Sequence, residues 1–188
     1  SNIKHQIDLG VMKNSISKDI SLVHITNPNN PTGSVLNNSE LKEFCREVSK
    51  TCTILIDEAY NDLTDNPKSS TMIPLIKEGR NIIVTRTFSK IHGLAGLRIG
   101  YMIAKPELIK EIMKFGIIGN WTTNHAGIAA AIASYNDKNF LSHSKAMVNE
   151  GKEMVMEAVK KNGLSALPSK ANFIFVNLGS LGKFFRNS

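Results

Sequence analysis

The sequence predicts an α/β fold: a mostly parallel sheet in a three-layer α/β/α arrangement, with helices on both faces. Three observations predict it. Short apolar and β-branched runs alternate with longer segments of helical spacing, the pattern that builds such a sheet. Runs such as 53–56 are apolar throughout, as strands covered on both faces are. Polar motifs follow the first three runs directly, and in such sheets ligands bind beyond the carboxyl ends of the strands.

In chain order, residues 1–20 are mixed and only weakly periodic. Residues 21–26 read as a strand that ends at the turn-rich Asn27-Pro28-Asn29-Asn30-Pro31-Thr32-Gly33. Asn38 or Ser39 is placed to cap a helix whose Leu41, Phe44, Cys45 and Val48 fall on one face. Strands are expected at 53–56, 81–86 and 100–104. Pro106 suits the first turn of a helix carrying Leu108, Ile109, Ile112 and Met113. A second helix is expected through the alanine-rich stretch 126–135, and a long one over about 139–162. In the long one, the pairs Phe140/Leu141, Met147/Val148 and Met154/Val155 recur every seven residues. Gly163 is a natural stop for it. A last apolar strand is expected at 172–178.

The chain has 188 residues, of which 41% are hydrophobic and 21% charged, enough for one core and the start of a second domain. Its net charge is +7, but no lysine/arginine run or aromatic-basic stripe accompanies it, so neither nucleic acid nor a membrane is expected as partner. No secretory pattern opens the chain, and Cys45 and Cys52 have no metal-type spacing; reduced cysteines and a cytoplasmic location are expected. The five histidines are scattered, so no metal site is expected.

The chemistry-bearing residues converge on one crevice. Thr87-Phe88-Ser89-Lys90-Ile91-His92-Gly93-Leu94-Ala95-Gly96-Leu97-Arg98 sets a lysine between hydroxyls, follows it with glycines and adds an arginine eight positions on. That set suits a Schiff-base lysine beside a phosphate: hydroxyls, backbone amides and a guanidinium together hold a dianion. Each residue by itself also has an ordinary reading. Lys90 is then a solvated surface lysine, Thr87 and Ser89 polar strand-end residues, and Arg98 a surface ion pair. Asp57 is either a helix cap or internal ion pair, or a carboxylate on a protonated pyridine nitrogen. Tyr60 is either a core tyrosine or a donor to a phenolate on the same ring, and Asn30 either a turn residue or a second donor to it. The glycine spacing matches neither a dinucleotide fingerprint nor a mononucleotide phosphate loop.

Residues 27–33, Asp57-Glu58-Ala59-Tyr60 and the segment 87–101 together resemble fold-type I pyridoxal-phosphate aminotransferases of class I/II, nearest the histidinol-phosphate aminotransferase-like branch. Ser169-Lys170-Ala171-Asn172-Phe173-Ile174-Phe175-Val176 is similar to the return strand into that family's small domain. The resemblance covers nearly the whole chain, with its motifs in order. It implies a partial large, cofactor-binding domain over 1–137, then an interdomain helix and the first part of a small α+β domain over 138–188.

The resemblance also implies roles. Lys90 carries the pyridoxal phosphate and shuttles a proton. Asp57 pairs with the pyridinium nitrogen, Tyr60 and Asn30 bind the ring oxygen, and Thr87, Ser89 and Arg98 hold the phosphate. The implied reaction is amino-group transfer between an amino acid or amine, such as histidinol phosphate, and a 2-oxo acid, in a homodimer. A decarboxylase of the same fold (phosphothreonine type) and a non-catalytic effector-binding or remnant module are the alternatives. Relative to that family, the chain reads as a fragment. No glycine/serine phosphate turn or ring-stacking aromatic is found in residues 1–26, and Arg186 does not stand in the context of the family's carboxylate-binding arginine. The expectation is weak cofactor binding and poor turnover by this chain on its own.

Overall fold

Three parallel strands form the centre of the protein: β1 (Leu22–Thr26), β2 (Thr53–Asp57) and β3 (Ile82–Thr87). A fourth, β4 (Gly100–Ile103), pairs antiparallel with β3, giving the order β1-β2-β3-β4. The computed structural model describes residues 5–115, 123–179 and 182. The registers Thr26↔Asp57 and Asp57↔Thr85 bring the ends of β1 and β2 level, with β3 running two residues further in the same direction. The sequence motifs that follow them therefore emerge side by side.

Side chains two apart on a strand share a face. Val23 and Ile25, Ile54 and Ile56, and Ile82 and Val84 make one buried layer. Helix α2 (Asn38–Val48) packs on it through Leu41, Phe44, Cys45 and Val48, the stripe its spacing predicts. Its cap is Asn37, one residue before the two candidates, whose Oδ1 accepts from Ser39 N at 3.0 Å and Glu40 N at 3.2 Å. Helices α1 (Leu9–Asn14) and α4 (Ile73–Lys77) add Leu9, Met12, Ile73, Leu75 and Ile76 to this core. A short α3 (Pro67–Ser70) precedes α4. None of these three follows from periodicity, because six residues or fewer give too little repeat to read. Caps define two of them: Asp8 accepts from Val11 N, and Asn66 from Ser69 N. On the opposite sheet face Leu22 is 52% exposed, so no described helix covers β1 there, and the expected second helical layer is absent over that strand among the described residues.

Helix α5 (Pro106–Met113) starts at Pro106 as predicted. Helix α6 (His125–Asn136) packs through Ala131 on Phe88 and Ile99. Its Gly127 lets the helix approach closely: a Cβ there would lie 2.6 Å from Ile99 Cδ1, so the Ile99 side chain would have to shift. The long α7 (Lys138–Lys161) buries only part of its seven-residue repeat. Leu141 and Val148 pack towards Tyr60 and Leu63, whereas Phe140, Met147, Met154 and Val155 are exposed.

The strand expected over 172–178 is shorter than its apolar run. Only β6 (Val176–Asn177) forms, paired antiparallel with β5 (Ser165–Ala166). The preceding residues bend instead, because Ser169 Oγ accepts from Ala171 N at 3.1 Å and turns Ala171 into the core. Both cysteines are free and buried, and burial, aided by the charge of Glu58, pushes the Cys45 thiol up to about 12. No described helix is long and apolar enough to cross a membrane.

Candidate active site

Beyond Thr26 the chain turns through 27–33, and Asn30 reaches the loop after β2: its Nδ2 donates to the Tyr60 hydroxyl at 3.3 Å. Tyr60 is 4% exposed. The Lys90 Nζ, from the loop after β3, lies 5.2 Å from the centre of the Tyr60 ring. Three sequence-predicted residues from three strand ends thus meet at one tyrosine. Asp57 ends β2, half-buried, and its Oδ1 accepts from Ala59 N at 3.0 Å. A carboxylate offers about four acceptor positions, so this bond orients the group and leaves capacity for a further donor.

Thr87 ends β3. Its Oγ1 accepts from Ser89 N at 3.0 Å and lies 3.4 Å from the Ile99 carbonyl, which ties the lysine turn to the residue before β4. Arg98 follows the 3-10 turn Ala95–Leu97. It adopts a left-handed conformation with φ of 53°, is exposed, and donates from Nη1 to Ala95 O at 2.8 Å. That bond uses one of five guanidinium N–H groups. Arg186 lies outside the described residues.

One charged network went unassigned in the sequence. Strand alternation places Glu58 on the same face as Ile54 and Ile56, and Arg86 on the same face as Ile82 and Val84. Glu58, 2% exposed, accepts from Arg86 Nη2 at 2.8 Å, Arg86 Nε at 3.1 Å, Thr71 Oγ1 at 2.8 Å and Met72 N at 2.6 Å. Burial pulls the Arg86 guanidinium down, but its hydrogen bond to Glu58 and the charges of Glu58 and Asp62 outweigh that and hold it above its ordinary range. Arg86 lies inside β3, and alternation along β2 carried one step past its end reaches Glu58, so the pair was within a period-two reading. Glu58 follows Asp57 and Arg86 precedes Thr87, so the ion pair clamps the backbone beneath both site residues.

His92 fixes the other side of the lysine turn. Its buried ring lies 4.6 Å from that of Phe88, and its Nδ1 is 2.8 Å from Ser134 Oγ on α6. Burial lowers its pKa from the ordinary 6.5, with Asp62 opposing and Lys138 adding to the shift. The folded state therefore refuses a proton that the unfolded state accepts, and stability falls as pH drops through about 6.5. The paired carboxylates Glu47, Asp65 and Glu78 have lowered pKa values and titrate at more acidic pH. A loss of stability between about pH 7 and 5 is thus assigned to His92. Urea midpoints across that range should fall for the native chain and flatten in His92→Gln; equal slopes would contradict the assignment.

The family model for aminotransferase class I and II matches residues 2–186. The chain belongs to the class I and II aminotransferases. It is 38% identical over 172 residues to histidinol-phosphate aminotransferase 1 of Cupriavidus pinatubonensis, covering 92% of this chain and 45% of that protein. The corresponding enzyme of Moorella thermoacetica is 35% identical over 178 residues, covering 94% and 45%. Among solved structures, the histidinol-phosphate aminotransferase of Sinorhizobium meliloti, in complex with pyridoxal-5'-phosphate, superposes with a TM-score of 0.83 at 29% identity, over 95% of this chain and 47% of that one. That of Clostridium acetobutylicum gives 0.83 at 27% identity, over 95% and 54%. The chain thus spans about half the length of the relatives it matches. Aminotransferases of this family take pyridoxal phosphate as cofactor, and the residues here have the chemistry to receive it: the Lys90 amine over Tyr60, the oriented Asp57 carboxylate and the Thr87 and Ser89 hydroxyls, with the exposed Arg98 guanidinium following in the same loop.

Proposed function

We propose that the whole protein transfers an amino group between an amino acid or amine, such as histidinol phosphate, and a 2-oxo acid, with pyridoxal phosphate bound in the crevice at Lys90. The observation that carries this reading is the meeting of Asn30, Tyr60 and Lys90 from three different strand ends. When bound, the cofactor supplies an aldehyde for amine exchange and a ring that accepts electron density.

The remaining work falls to the chain. Asp57, at the end of β2, offers its second carboxylate oxygen to a protonated ring nitrogen and stabilises that proton by charge. The Tyr60 hydroxyl accepts from Asn30 and so keeps its own proton free to donate onward to an anionic ring oxygen. Thr87 and Ser89 supply hydroxyls for a phosphate, and Arg98 keeps guanidinium N–H groups beyond the one bonded to Ala95 O. The Lys90 Nζ, poised over the Tyr60 ring, attaches the cofactor and holds or releases a proton beside it.

The names carried by the relatives support transfer over decarboxylation and histidinol phosphate as the amine. We further place the domain boundary near 137, with 1–137 belonging to the cofactor domain and 138–188 leading into a smaller one, in a cytoplasmic homodimer. Incubation of the chain with excess pyridoxal phosphate, borohydride reduction and peptide mapping test the assignment. The expected label is on Lys90. Labelling spread over exposed lysines, with Lys90 unmodified, would refute it.

A further inference from the structure

Tyr60 is the junction of the candidate site, so whatever sets its ring plane orients two contacts at once. The hydroxyl direction follows from the ring, and so does the face presented to the Lys90 amine. Residues that follow Tyr60 in sequence do not determine that plane by themselves. A ring arriving from the far end of the chain stands against it: Phe173 meets Tyr60 edge-on, with centroids 5.2 Å apart and planes at 88°. This is the geometry in which the positive edge of one aromatic ring faces the negative face of another. Ile91, Leu63 and the fully buried Ala171 complete the cluster around the tyrosine.

Phe173 can act this way only if its own segment is held, and it is held at several points. Lys170 N donates to Gly33 O at 2.9 Å, in the same loop that carries Asn30. Gly33 has a φ of 72°, and a Cβ there would lie 2.9 Å from the Ser169 Cα, so only glycine admits the segment this closely. Lys152 Nζ, on α7, donates to Ser169 O at 3.1 Å. Lys170 Nζ lies 2.7 Å from Asp65 Oδ2, in the loop that follows Tyr60. The segment 169–173 is thus fastened to the Asn30 loop, the Tyr60 loop and α7 together.

We infer that Phe173 is a positioning residue for the Tyr60 hydroxyl: its edge contact holds the tyrosine ring in the plane from which the hydroxyl addresses the cofactor oxygen. The inference rests on the cofactor reading of the site given above. It assigns the return segment a part in cofactor binding, although Phe173 itself need not touch the cofactor.

The test compares the native chain, Phe173→Leu and Phe173→Tyr, each also in a Tyr60→Phe background, by titration with pyridoxal phosphate. The readouts are the dissociation constant and the pH midpoint of the visible band of the lysine-bound cofactor. Phe173→Leu, which keeps apolar volume but removes the ring, is expected to weaken binding by about three- to ten-fold, the range of an aromatic pair, and to move the midpoint. Phe173→Tyr should restore both, and in the Tyr60→Phe background Phe173→Leu should have no further effect. Native affinity and midpoint in Phe173→Leu, or an equal loss in both backgrounds, would overturn the positioning role. Borohydride mapping of the same native sample separates the two levels. A label on Lys90 with no Tyr60-dependent effect of Phe173 defeats this inference only; no label on Lys90 defeats the cofactor reading and the inference with it.

Discussion

Replacing Arg86 with methionine is expected to destabilise the chain by about 3–5 kcal/mol, the loss seen when one partner of a buried ion pair is removed. The Glu58 carboxylate has a side chain only 1% exposed, and Arg86 supplies two of its short hydrogen bonds. Methionine fills much of the same volume but leaves that charge uncompensated. Thr71 Oγ1 and Met72 N stay in place as donors, which sets the expectation at the lower end of the range. Urea unfolding should show a lower midpoint with an unchanged slope. Adding Glu58→Gln to Arg86→Met removes the stranded charge and should recover at least half of the loss. A single variant as stable as the native chain, or a double variant no better than the single, would show that the pair does not lock the strand ends. The consequence for the site is direct: Asp57 and Thr87 are covalent neighbours of the two partners, and their backbone rests on this network.

The Lys90→Ala chain is expected to lose all borohydride-fixed cofactor on the peptide spanning 87–98 while staying folded. The side chain is half-buried, with its Nζ 5.2 Å from the centre of the Tyr60 ring. Such a cation–π contact is worth about 0.5–1 kcal/mol, so stability should fall by no more than roughly that amount. The loss of label would then be chemical rather than a result of unfolding. Residual label on that peptide would mean that another nucleophile there, or the reagent itself, was responsible. Full retention of cofactor binding without covalent attachment would still be compatible with Asp57, Tyr60 and the phosphate-binding hydroxyls acting as a non-covalent cradle.

Much of this site could be read along the chain because its residues sit at the ends of apolar runs. Thr26, Asp57 and Thr87 end their strands where composition changes from branched and apolar to polar, and parallel register then brings Asn30, Tyr60 and Lys90 together. Arg98 was legible as a residue type but not in its pose, since a left-handed backbone and a bond to Ala95 O depend on the local fold of its loop. Glu58 and Arg86 were within reach of a period-two reading, Arg86 inside its strand and Glu58 one residue beyond the end of β2.

The covalent chain by itself therefore determined the four strands of the main sheet, to within a residue at each end, and which reactive groups stand at their ends, because those are consequences of local patterning and of one register. Only the tertiary structure decided that Phe173 would stand against Tyr60, that Gly33 would admit Ser169, that most of the α7 repeat would stay exposed and that residues 171–173 would bend rather than pair. Those outcomes depend on packing between segments far apart in sequence. Contact area, backbone clearance and competing hydrogen bonds settle them, and none of these has a periodicity to read.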